Sequence, residues 1–514
     1  MSISLFFLIQ DLFLHTYGYG YIYNTRIDHA KFPSSRIPSR KLTSCRYLSE
    51  TDSSTNHPST SISTTEGPFS ISIFSKSQCW GRNPLLIRNA FDPEQIKNDY
   101  GEGCWPTPKD LLFLACDEDA ESRIITHVPN DLSSYELELG PFDEEEIQDL
   151  LPSSQIETSD HAPKWTLVIN DVDRYSPSLT DWIHSTFEFL PTWRRDDAQF
   201  SLSQKLGGIG PHVDNYDVFL IQTQGRREWK VGKTEISPNQ ELEYSLPGLD
   251  VRVLSENTPL EWESLVLKAG DCLYIPPRIA HEGISLEDDG MTLSVGCRAP
   301  SASEMISKLA QDMSMTLHGK AMERYQDVDL LQDDSHRQSQ SYTPWKITKE
   351  AQESAKHLIQ EAFNELLEED QMWEEWFGKF ITEPKRVRPG YPIELTPPIP
   401  SISDPNALEE HEEWIESLGI WGNSKLTLDA VLNGHGYLIQ AEGITFAMTE
   451  RLEILKVFVN GICWEIQNVK APIEAIMSQR RISKETLENV ELCEETLDLL
   501  QDLVEKGFLY GTDE

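Results

Sequence analysis

Residues 207–230 read GGIGPHVDNYDVFLIQTQGRREWK, and the fold expected for the surrounding chain is built around this stretch. His212 and Asp214 are two residues apart, so their side chains leave the same face of the chain if the segment is extended. An imidazole and a carboxylate on one face are two of the three protein ligands of a mixed nitrogen and oxygen metal site. The stretch therefore predicts half of a metal site.

A third metal ligand is expected downstream, at the end of another strand. Residues 271–283, DCLYIPPRIAHEG, supply His281 shortly after a Pro-Pro turn. Two histidines and one carboxylate on one side of a metal leave the opposite side open, which is the arrangement of non-haem Fe(II) oxygenases. His212, Asp214 and His281 are therefore the predicted metal ligands and the predicted catalytic centre.

Composition limits the architecture and the partners. A chain of 514 residues is too long for one ordinary core, so about two to four domains are expected. With 85 Asp and Glu against 44 Lys and Arg, the formal charge of -41 repels phosphate backbones, so we expect a basic protein partner and no direct nucleic-acid partner. The eight cysteines include no Cys-x-x-Cys pair, which argues against a zinc finger and indicates reduced thiols in an intracellular protein.

Residues 1–76 form a predicted disordered leader. None of its apolar runs reaches the roughly 18 to 20 residues of a membrane span, so no membrane association is expected. Residues 12–48 contain six basic residues and one acidic residue, and Ser and Thr dominate up to residue 65. This pattern is typical of a mitochondrial transit peptide. The alternatives are a tail without an address, in a cytoplasmic or nuclear protein, and a weak signal-peptide core at residues 5–9.

Residues 77–300 form the first predicted folded domain. A buried strand is expected at 165–170, helices at 108–116 and 178–189, and alternating strand-like residues between 123 and 139. Short strands separated by turn signals then follow at 199–203, 212–222, 227–231, 264–268, 272–275, 283–285 and 292–297. Many short strands with regular breaks predict a double-sheet jelly roll of the cupin type, within an α+β chain.

Three segments carry a specific resemblance: LGGIGPHVDNYDVFLIQTQGRREWKVG, AGDCLYIPPRIAHEG and LSVGCRAP. They resemble the JmjC-type ribosomal oxygenases, and among these the bacterial-type ribosomal protein arginine hydroxylases. The resemblance extends over most of residues 77–514. It implies that His212, Asp214 and His281 bind Fe(II), with 2-oxoglutarate and O2 as cosubstrates.

The same resemblance implies that Arg227 binds the distal carboxylate of 2-oxoglutarate. A guanidinium suits this role because it can donate two parallel hydrogen bonds to a carboxylate. Arg226 alternates to the opposite face and is expected in solvent. Ser294 and Ser203 are predicted to face the same cavity, although an ordinary buried hydroxyl is the alternative for both. Relatives that hydroxylate histidine typically have Lys at the Arg227 position, so Arg227 favours the arginine hydroxylases.

Tyr216 and Asp217 match a Tyr-Asp pair of the family and are expected to border the substrate entrance, with a turn or cap role as the alternative for Asp217. The chain departs from the arginine-hydroxylase pattern at Thr292, at Cys297 and at Lys205 with its neighbour Leu206. None of these departures falls on a predicted metal ligand.

Two helices are predicted in residues 301–381, with a cap at Ser301 or Ser303 and apolar residues every three to four positions. In the resembling family this region dimerises, so a homodimer is expected; packing against the chain's own jelly roll is the alternative. Residues 382–405 are rich in proline and read as an extended linker.

Residues 406–514 resemble the winged-helix C-terminal domain of the family. Helices are expected near 407–418 and at 496–506, with strands at 436–440, 445–448 and 457–466. From residue 404 to 514 there are 22 acidic and 8 basic residues, a net of -14, so a phosphate-binding surface is not expected.

The sequence thus predicts an Fe(II)/2-oxoglutarate-dependent dioxygenase that hydroxylates a protein side chain, with arginine of a large-subunit ribosomal protein as the implied target. A histidyl hydroxylase or a histone lysine demethylase on the same site is one alternative. A non-enzymatic acidic protein that binds a basic partner is the other.

Overall fold

The computed structural model describes residues 61–143, 147, 162–246, 252–316, 323–325, 347–368, 370–384, 424–451, 454–467, 470–488 and 492–512. Most of the predicted leader, almost all of the predicted linker and the helix expected near 407–418 lie outside the described residues.

Strands are numbered in chain order within these ranges. They are β1 (Ser63–Glu66), β2 (Leu85–Arg88), β3 (Ser122–His127), β4 (Glu136–Leu139), β5 (Lys164–Ile169), β6 (Arg195–Ser203), β7 (Asp217–Gln224), β8 (Arg226–Glu235), β9 (Trp262–Lys268), β10 (Cys272–Ile275), β11 (Ile279–Ser285), β12 (Gly290–Cys297), β13 (Tyr437–Gln440), β14 (Phe446–Arg451), β15 (Ile454–Val459), β16 (Ile462–Gln467), β17 (Arg481–Ile482) and β18 (Leu509–Thr512).

The helices are numbered in the same way. They are α1 (Ile71–Ser77), α2 (Pro93–Tyr100), α3 (Pro108–Leu114), α4 (Pro177–Thr186), α5 (Pro238–Tyr244), α6 (Ala302–Thr316), α7 (Lys349–Glu368), α8 (Asp370–Thr382), α9 (Ser424–Leu432), α10 (Lys470–Met477), α11 (Lys484–Glu488) and α12 (Glu494–Glu505). Several begin at a hydroxyl or carboxylate cap followed by proline, as at Thr107 before α3 and Ser176 before α4.

Two sheets form the jelly roll. The larger has the strand order β1-β2-β10-β7-β12-β6-β5-β3-β4, and the smaller has the order β11-β8-β9. The core between them takes Val218 and Leu220 from β7, Trp229 and Val231 from β8, and Leu267 from β9, all of them buried. Because strand side chains alternate, the remaining residues of β7 point to the other face of the large sheet. The predicted double-sheet cupin fold is confirmed.

The outer face of the large sheet carries the main hydrophobic core. Phe219, Leu293 and Tyr274 on this face pack with Phe74 of α1 and with Phe187, which follows α4. The helices therefore cover one side of the large sheet, and the small sheet covers the other. The space between the two sheets is the inside of the barrel.

The folded domain begins earlier than predicted. β1 pairs in parallel with β2, in a register that puts Ser63 opposite Leu85. Phe74 is only 3% exposed, and Phe69 stacks on Phe91 with 5.2 Å between the ring centroids. The predicted boundary between residues 76 and 77 is therefore wrong, because the last part of the predicted leader contributes a strand and two aromatic side chains to the domain.

The glycines at 207 and 208 let the chain pass close to the backbones of β5 and β11 after it leaves β6. A Cβ on Gly207 would lie 2.4 Å from the carbonyl oxygen of Trp165, and one on Gly208 would lie 2.6 Å from that of Gly283. The predicted strand 212–222 consequently starts only at Asp217. Before it, His212 forms an isolated antiparallel bridge with His281 of the small sheet.

The C-terminal residues contain α9 to α12 and two three-stranded sheets, β17-β13-β18 and β14-β15-β16. The predicted strand 457–466 is in fact the hairpin β15-β16, because Asn460 and Gly461 between them have φ angles of 51° and 80° and reverse the chain. The winged-helix likeness of this part stays a prediction.

Part of the predicted helical region belongs structurally with this C-terminal sheet. In α8, Gly378 lies directly against the ring of Phe458 in β15. Lys456 of β15 bonds the carboxylate of Glu375 in α8 at 3.2 Å. The indole of Trp376 donates to Asp312 of α6 at 3.0 Å, so α8 also contacts the first helix of the region.

Arg480 fastens the C-terminal part to the jelly-roll domain. Its guanidinium bonds the carboxylates of Asp181 in α4 and of Glu442, and its side chain is only 7% exposed. Nearby, the Thr192 hydroxyl donates to the carbonyl of Phe446 at 2.6 Å. These buried polar contacts fix the orientation of the two parts.

Replacing Gly378 with alanine is expected to destabilise the protein. The new Cβ would lie 2.5 Å from two atoms of the Phe458 ring, which is fully buried. Overpacking of this kind costs about 1–3 kcal/mol, and the gain of up to about 1 kcal/mol in helix propensity does not offset it fully. The measurement is the free energy of unfolding in denaturant. Gly103→Ala is the control, because no atom lies within 4 Å of its Cβ position; equal stabilities of the two variants would contradict the prediction.

Candidate active site

The structure brings His212, Asp214 and His281 together. His212 and His281 exchange backbone hydrogen bonds, at 3.1 Å and 2.9 Å, so their side chains are held side by side with ring centroids 4.4 Å apart. Nε2 of His281 is 3.5 Å from Oδ2 of Asp214. One ligand atom from each of the three residues lies within 4.8 Å of the others. The predicted ligand set is thus assembled by a bridge between the crossing segment and β11.

Both imidazoles have their protons directed away from the centre of the triad. Nδ1 of His212 is 2.8 Å from the carbonyl oxygen of Gly210, and Nδ1 of His281 is 3.1 Å from that of Ile279. A carbonyl accepts only, so each Nδ1 carries the proton and each Nε2 keeps a lone pair for a metal. Burial, together with the neighbouring His212, lowers the pKa of His281 to about 4, so this ring is neutral at physiological pH.

These donors fit Fe(II). Two neutral imidazole nitrogens and one carboxylate form the facial triad of non-haem iron sites, and no thiolate is present to favour structural zinc. In the part of the chain that the structure describes, no other group of His, Cys, Asp and Glu side chains brings three ligand atoms this close together.

Arg227 lies inside the barrel and is 1% exposed. Its Nη2 donates to Oγ of Ser203 at 2.7 Å, and Ser203 in turn lies 3.0 Å from the hydroxyl of Thr166. Nε of Arg227 has no hydrogen-bond partner, and its guanidinium forms no ion pair with a carboxylate of the described residues. Burial lowers the pKa of Arg227 to about 10, so it remains cationic at neutral pH.

A buried cation without a counter-charge is unfavourable, because desolvation is not repaid by an ion pair. The pocket around Arg227 is therefore built to receive an anion. The side chain of Arg226, the preceding residue, points to the opposite face of β8, as alternation predicts. It is exposed and pairs with Glu287 at 2.5 Å.

The predicted hydroxyl residues differ in position. Ser203 contacts Arg227 directly, and its role in binding a cosubstrate stays a prediction. Ser294 is half-buried on β12, opposite Gln199 and Leu220, and its side chain faces the inside of the barrel. Among the described contacts it forms no hydrogen bond with Arg227. Thr292 donates to the side chain of Gln222 at 2.9 Å, also inside the barrel.

Sequence reasoning did not identify Thr166 or Gln222 as cavity residues. Thr166 lies directly opposite Ser203 in the β5-β6 pairing. The available signal was that Thr166 is a polar residue among apolar ones in a predicted buried strand. Alternate residues of such a strand share one face, so a polar residue there can line a cavity. Strand order was not known, and only the pairing of β5 with β6 brings the two hydroxyls together.

Tyr216 and Asp217 point to opposite sides of the large sheet. Asp217 accepts a hydrogen bond from Tyr274 at 2.5 Å and pairs with Arg194 at 3.5 Å, on the helix-covered face. Burial raises the pKa of Asp217. These contacts give Asp217 a structural role and not the predicted place at the substrate entrance. Tyr216 packs beside Gly296, next to the start of β7 at the end of the barrel.

Comparisons with known proteins agree with this site. Residues 182–305 match the JmjC domain family. The chain is 33% identical over 237 residues to a probable ribosomal oxygenase of Haemophilus influenzae, a match that covers 45% of this chain and 50% of that protein. It is 28% identical over 323 residues to the ribosomal protein uL16 3-hydroxylase of Escherichia coli, covering 62% of this chain and 72% of that protein.

The fold is also shared with a solved structure. YcfD, a ribosomal oxygenase from Escherichia coli in complex with cobalt and 2-oxoglutarate, superposes with a TM-score of 0.56 at 24% identity, over 85% of this chain and 97% of that one. This likeness shows the fold. The chain contains a segment that matches the JmjC domain family, and it is similar in sequence to a probable ribosomal oxygenase and to a ribosomal protein hydroxylase.

Proposed function

We propose that this protein is an Fe(II)/2-oxoglutarate-dependent oxygenase that hydroxylates an arginine side chain of a basic large-subunit ribosomal protein. The observation that carries the proposal is the buried guanidinium of Arg227, which forms no ion pair with a carboxylate of the described residues and lies in the same barrel as the His212, Asp214 and His281 triad. A metal-binding triad alone fits many reactions. The added anion pocket favours a metal-bound cosubstrate with a second carboxylate.

The spacing of the two sites supports a cosubstrate that reaches both. In the β8-β11 pairing Arg227 lies opposite Ser285 and Val231 lies opposite the ligand His281. Four residues of strand correspond to about 13 Å. A long arginine side chain and a five-carbon diacid together cover such a distance, with one carboxylate at Arg227 and the other at the metal.

The roles of the chain's own residues follow. His212, Asp214 and His281 hold the metal on one side and leave the other side open. Arg227 and Ser203 orient the distal carboxylate, and Trp229, Val231 and the other apolar residues between the sheets exclude water. When bound, Fe(II) supplies the activation of O2, in which 2-oxoglutarate becomes succinate and CO2 and one oxygen atom enters the substrate C–H bond.

Arginine of a ribosomal protein is proposed for three reasons. The relative from Escherichia coli is named for hydroxylation of the ribosomal protein uL16. Arg227 occupies the place where the resembling histidyl hydroxylases typically have lysine. The formal charge of -41 favours a basic partner over nucleic acid.

We also propose a homodimer formed through the helices of residues 301–381. Ile306 of α6 and Ile359 and Leu367 of α7 are 54%, 59% and 53% exposed, which leaves apolar surface for a second copy. The basic, hydroxyl-rich residues 1–60 support a mitochondrial location as a further proposal. Among the described helices none combines the length and apolarity needed to cross a bilayer.

Mass spectrometry tests the proposed reaction. The protein is incubated with Fe(II), 2-oxoglutarate and large-subunit ribosomal proteins, and we expect a gain of one oxygen on an arginine of one of them. Reactions without 2-oxoglutarate, and with Asp214→Ala, are expected to leave all peptides unmodified. Oxygen on a histidine, or release of formaldehyde from a methylated lysine, would replace the arginine assignment. Metal-independent binding of a basic protein with no turnover would overturn the proposed enzyme.

A further inference from the structure

Arg278 follows the Pro-Pro turn between β10 and β11 and has an unusual backbone conformation. Its φ angle is +67°, in the left-handed region that side chains other than glycine rarely adopt. In that conformation its backbone N–H donates to the carbonyl oxygen of the metal ligand Asp214 at 2.8 Å. A non-glycine residue in such a conformation persists only when surrounding contacts hold it there.

The Arg278 side chain makes those contacts. Nη1 donates to Oδ1 of Asn215 at 2.7 Å and to Oε2 of Glu241 at 2.6 Å, while Nε donates to the carbonyl of Ile236 at 2.7 Å. Its side chain is 11% exposed and that of Glu241 is 5% exposed. The guanidinium thus joins the residue after Asp214 to α5 and to the end of β8.

We propose that Arg278 is a positioning residue for the metal ligand Asp214, an inference that rests on the proposed metal centre. Asp214 lies between the bridge at His212 and the start of β7, so no strand pairing fixes its own backbone. Arg278 holds it from two sides, through the Asp214 carbonyl and through the Asn215 side chain. Outer partners of this kind orient carboxylate ligands and tune metal affinity.

The backbone and side-chain parts of this role can be separated. Glycine adopts a φ of +67° without strain, so Arg278→Gly keeps the backbone bond to Asp214 and removes the guanidinium. Glu241 does not become an unpaired buried charge in this variant, because Arg252 still bonds its Oε1 at 3.1 Å. The domain is therefore expected to fold, and any loss reports on the guanidinium contacts, among which Asn215→Ala isolates the one to Asn215.

Co(II) titration followed by visible absorption tests the inference without turnover. We expect Arg278→Gly to bind Co(II) about tenfold more weakly than the wild type, at the lower end of the effect of outer partners of metal ligands, with a changed d–d spectrum. Asn215→Ala removes the acceptor on an exposed side chain and is expected to give a similar loss. The double variant should be no weaker than either single variant, because both remove the same contact.

Arg252→Ala is the matched control. Arg252 bonds the same Glu241 carboxylate as Arg278, but none of its described contacts is with residues 212–215. This variant should bind Co(II) as the wild type does. Wild-type affinity and spectrum in both Arg278→Gly and Asn215→Ala would overturn the positioning role alone. A wild-type protein that binds no Co(II) would overturn the metal centre and this inference with it.

Discussion

The His212→Ala variant is expected to lose Fe(II) binding and, with it, all 2-oxoglutarate turnover. Removal of His212 leaves only two protein ligands, Asp214 and His281. Two ligands do not complete the facial triad that binds the metal. Since even the outer partners of metal ligands contribute about 10–100-fold to affinity, the loss of a ligand is expected to exceed about 100-fold. Succinate formation and metal content after dialysis are the measurements.

An exposed histidine provides the control for this variant. His357 of α7 has a side chain that is 71% exposed and pairs with Glu361 on its own helix. His357→Ala should keep both the metal and the turnover. Succinate formation by His212→Ala at the wild-type rate would show that the triad is not the catalytic centre. Circular dichroism of the two variants should agree, because neither side chain belongs to a hydrophobic core cluster.

The Arg227→Met variant is expected to weaken cosubstrate binding without lowering the stability of the cosubstrate-free protein. The KM for 2-oxoglutarate should rise by about 10–100-fold, because hydrogen bonds to charged groups contribute about 1.5–3 kcal/mol. In the absence of 2-oxoglutarate the melting temperature should stay the same or rise, because a buried cation without a carboxylate partner is replaced by an apolar side chain of similar length. Steady-state kinetics and thermal unfolding without cosubstrate are the two measurements.

The neighbouring Arg226→Met variant is the matched control. Arg226 is on the other face of β8, exposed and paired with Glu287, so its replacement should alter neither the KM nor the melting temperature noticeably. An unchanged KM in Arg227→Met would remove the proposed cosubstrate anchor. A large loss of stability in the cosubstrate-free Arg227→Met protein would indicate that the guanidinium already has an anionic partner.

The metal triad and the jelly roll could be predicted because both depend on local signals. The spacing of His212 and Asp214 puts them on one face, and the turn before His281 ends one strand and starts the next. Most predicted strands of residues 199–297 agree with the structure to within a few residues, since turn residues bound them. The resemblance implied that Arg227 faces the cosubstrate cavity, and alternation then put Arg226 on the opposite face of the strand.

Other features depend on contacts between distant segments, which the sequence pattern does not reveal. Thr166 reaches Ser203 only through strand order, and Arg278 reaches Asn215 only through the approach of two turns. Asp217 was expected at the substrate entrance because it follows the ligands and matches the Tyr-Asp pair of the resembling family, but alternation in β7 directs it to the helix-covered face. The hairpin at Asn460 did have a local signal, because Asn-Gly between apolar runs strongly favours a reversal.

The first strand limits how far the N-terminus can be shortened. β1 is at one edge of the nine-stranded sheet, and its only described strand partner is β2. A protein trimmed before Ser63 keeps this strand, whereas one trimmed at residue 77 exposes the unpaired edge of β2, whose residues Leu85, Leu86 and Ile87 are apolar and otherwise buried. An open apolar edge is a template for strand addition between molecules. β1 therefore covers the apolar edge of β2 and opposes aggregation, so a shortened variant should begin no later than Ser63.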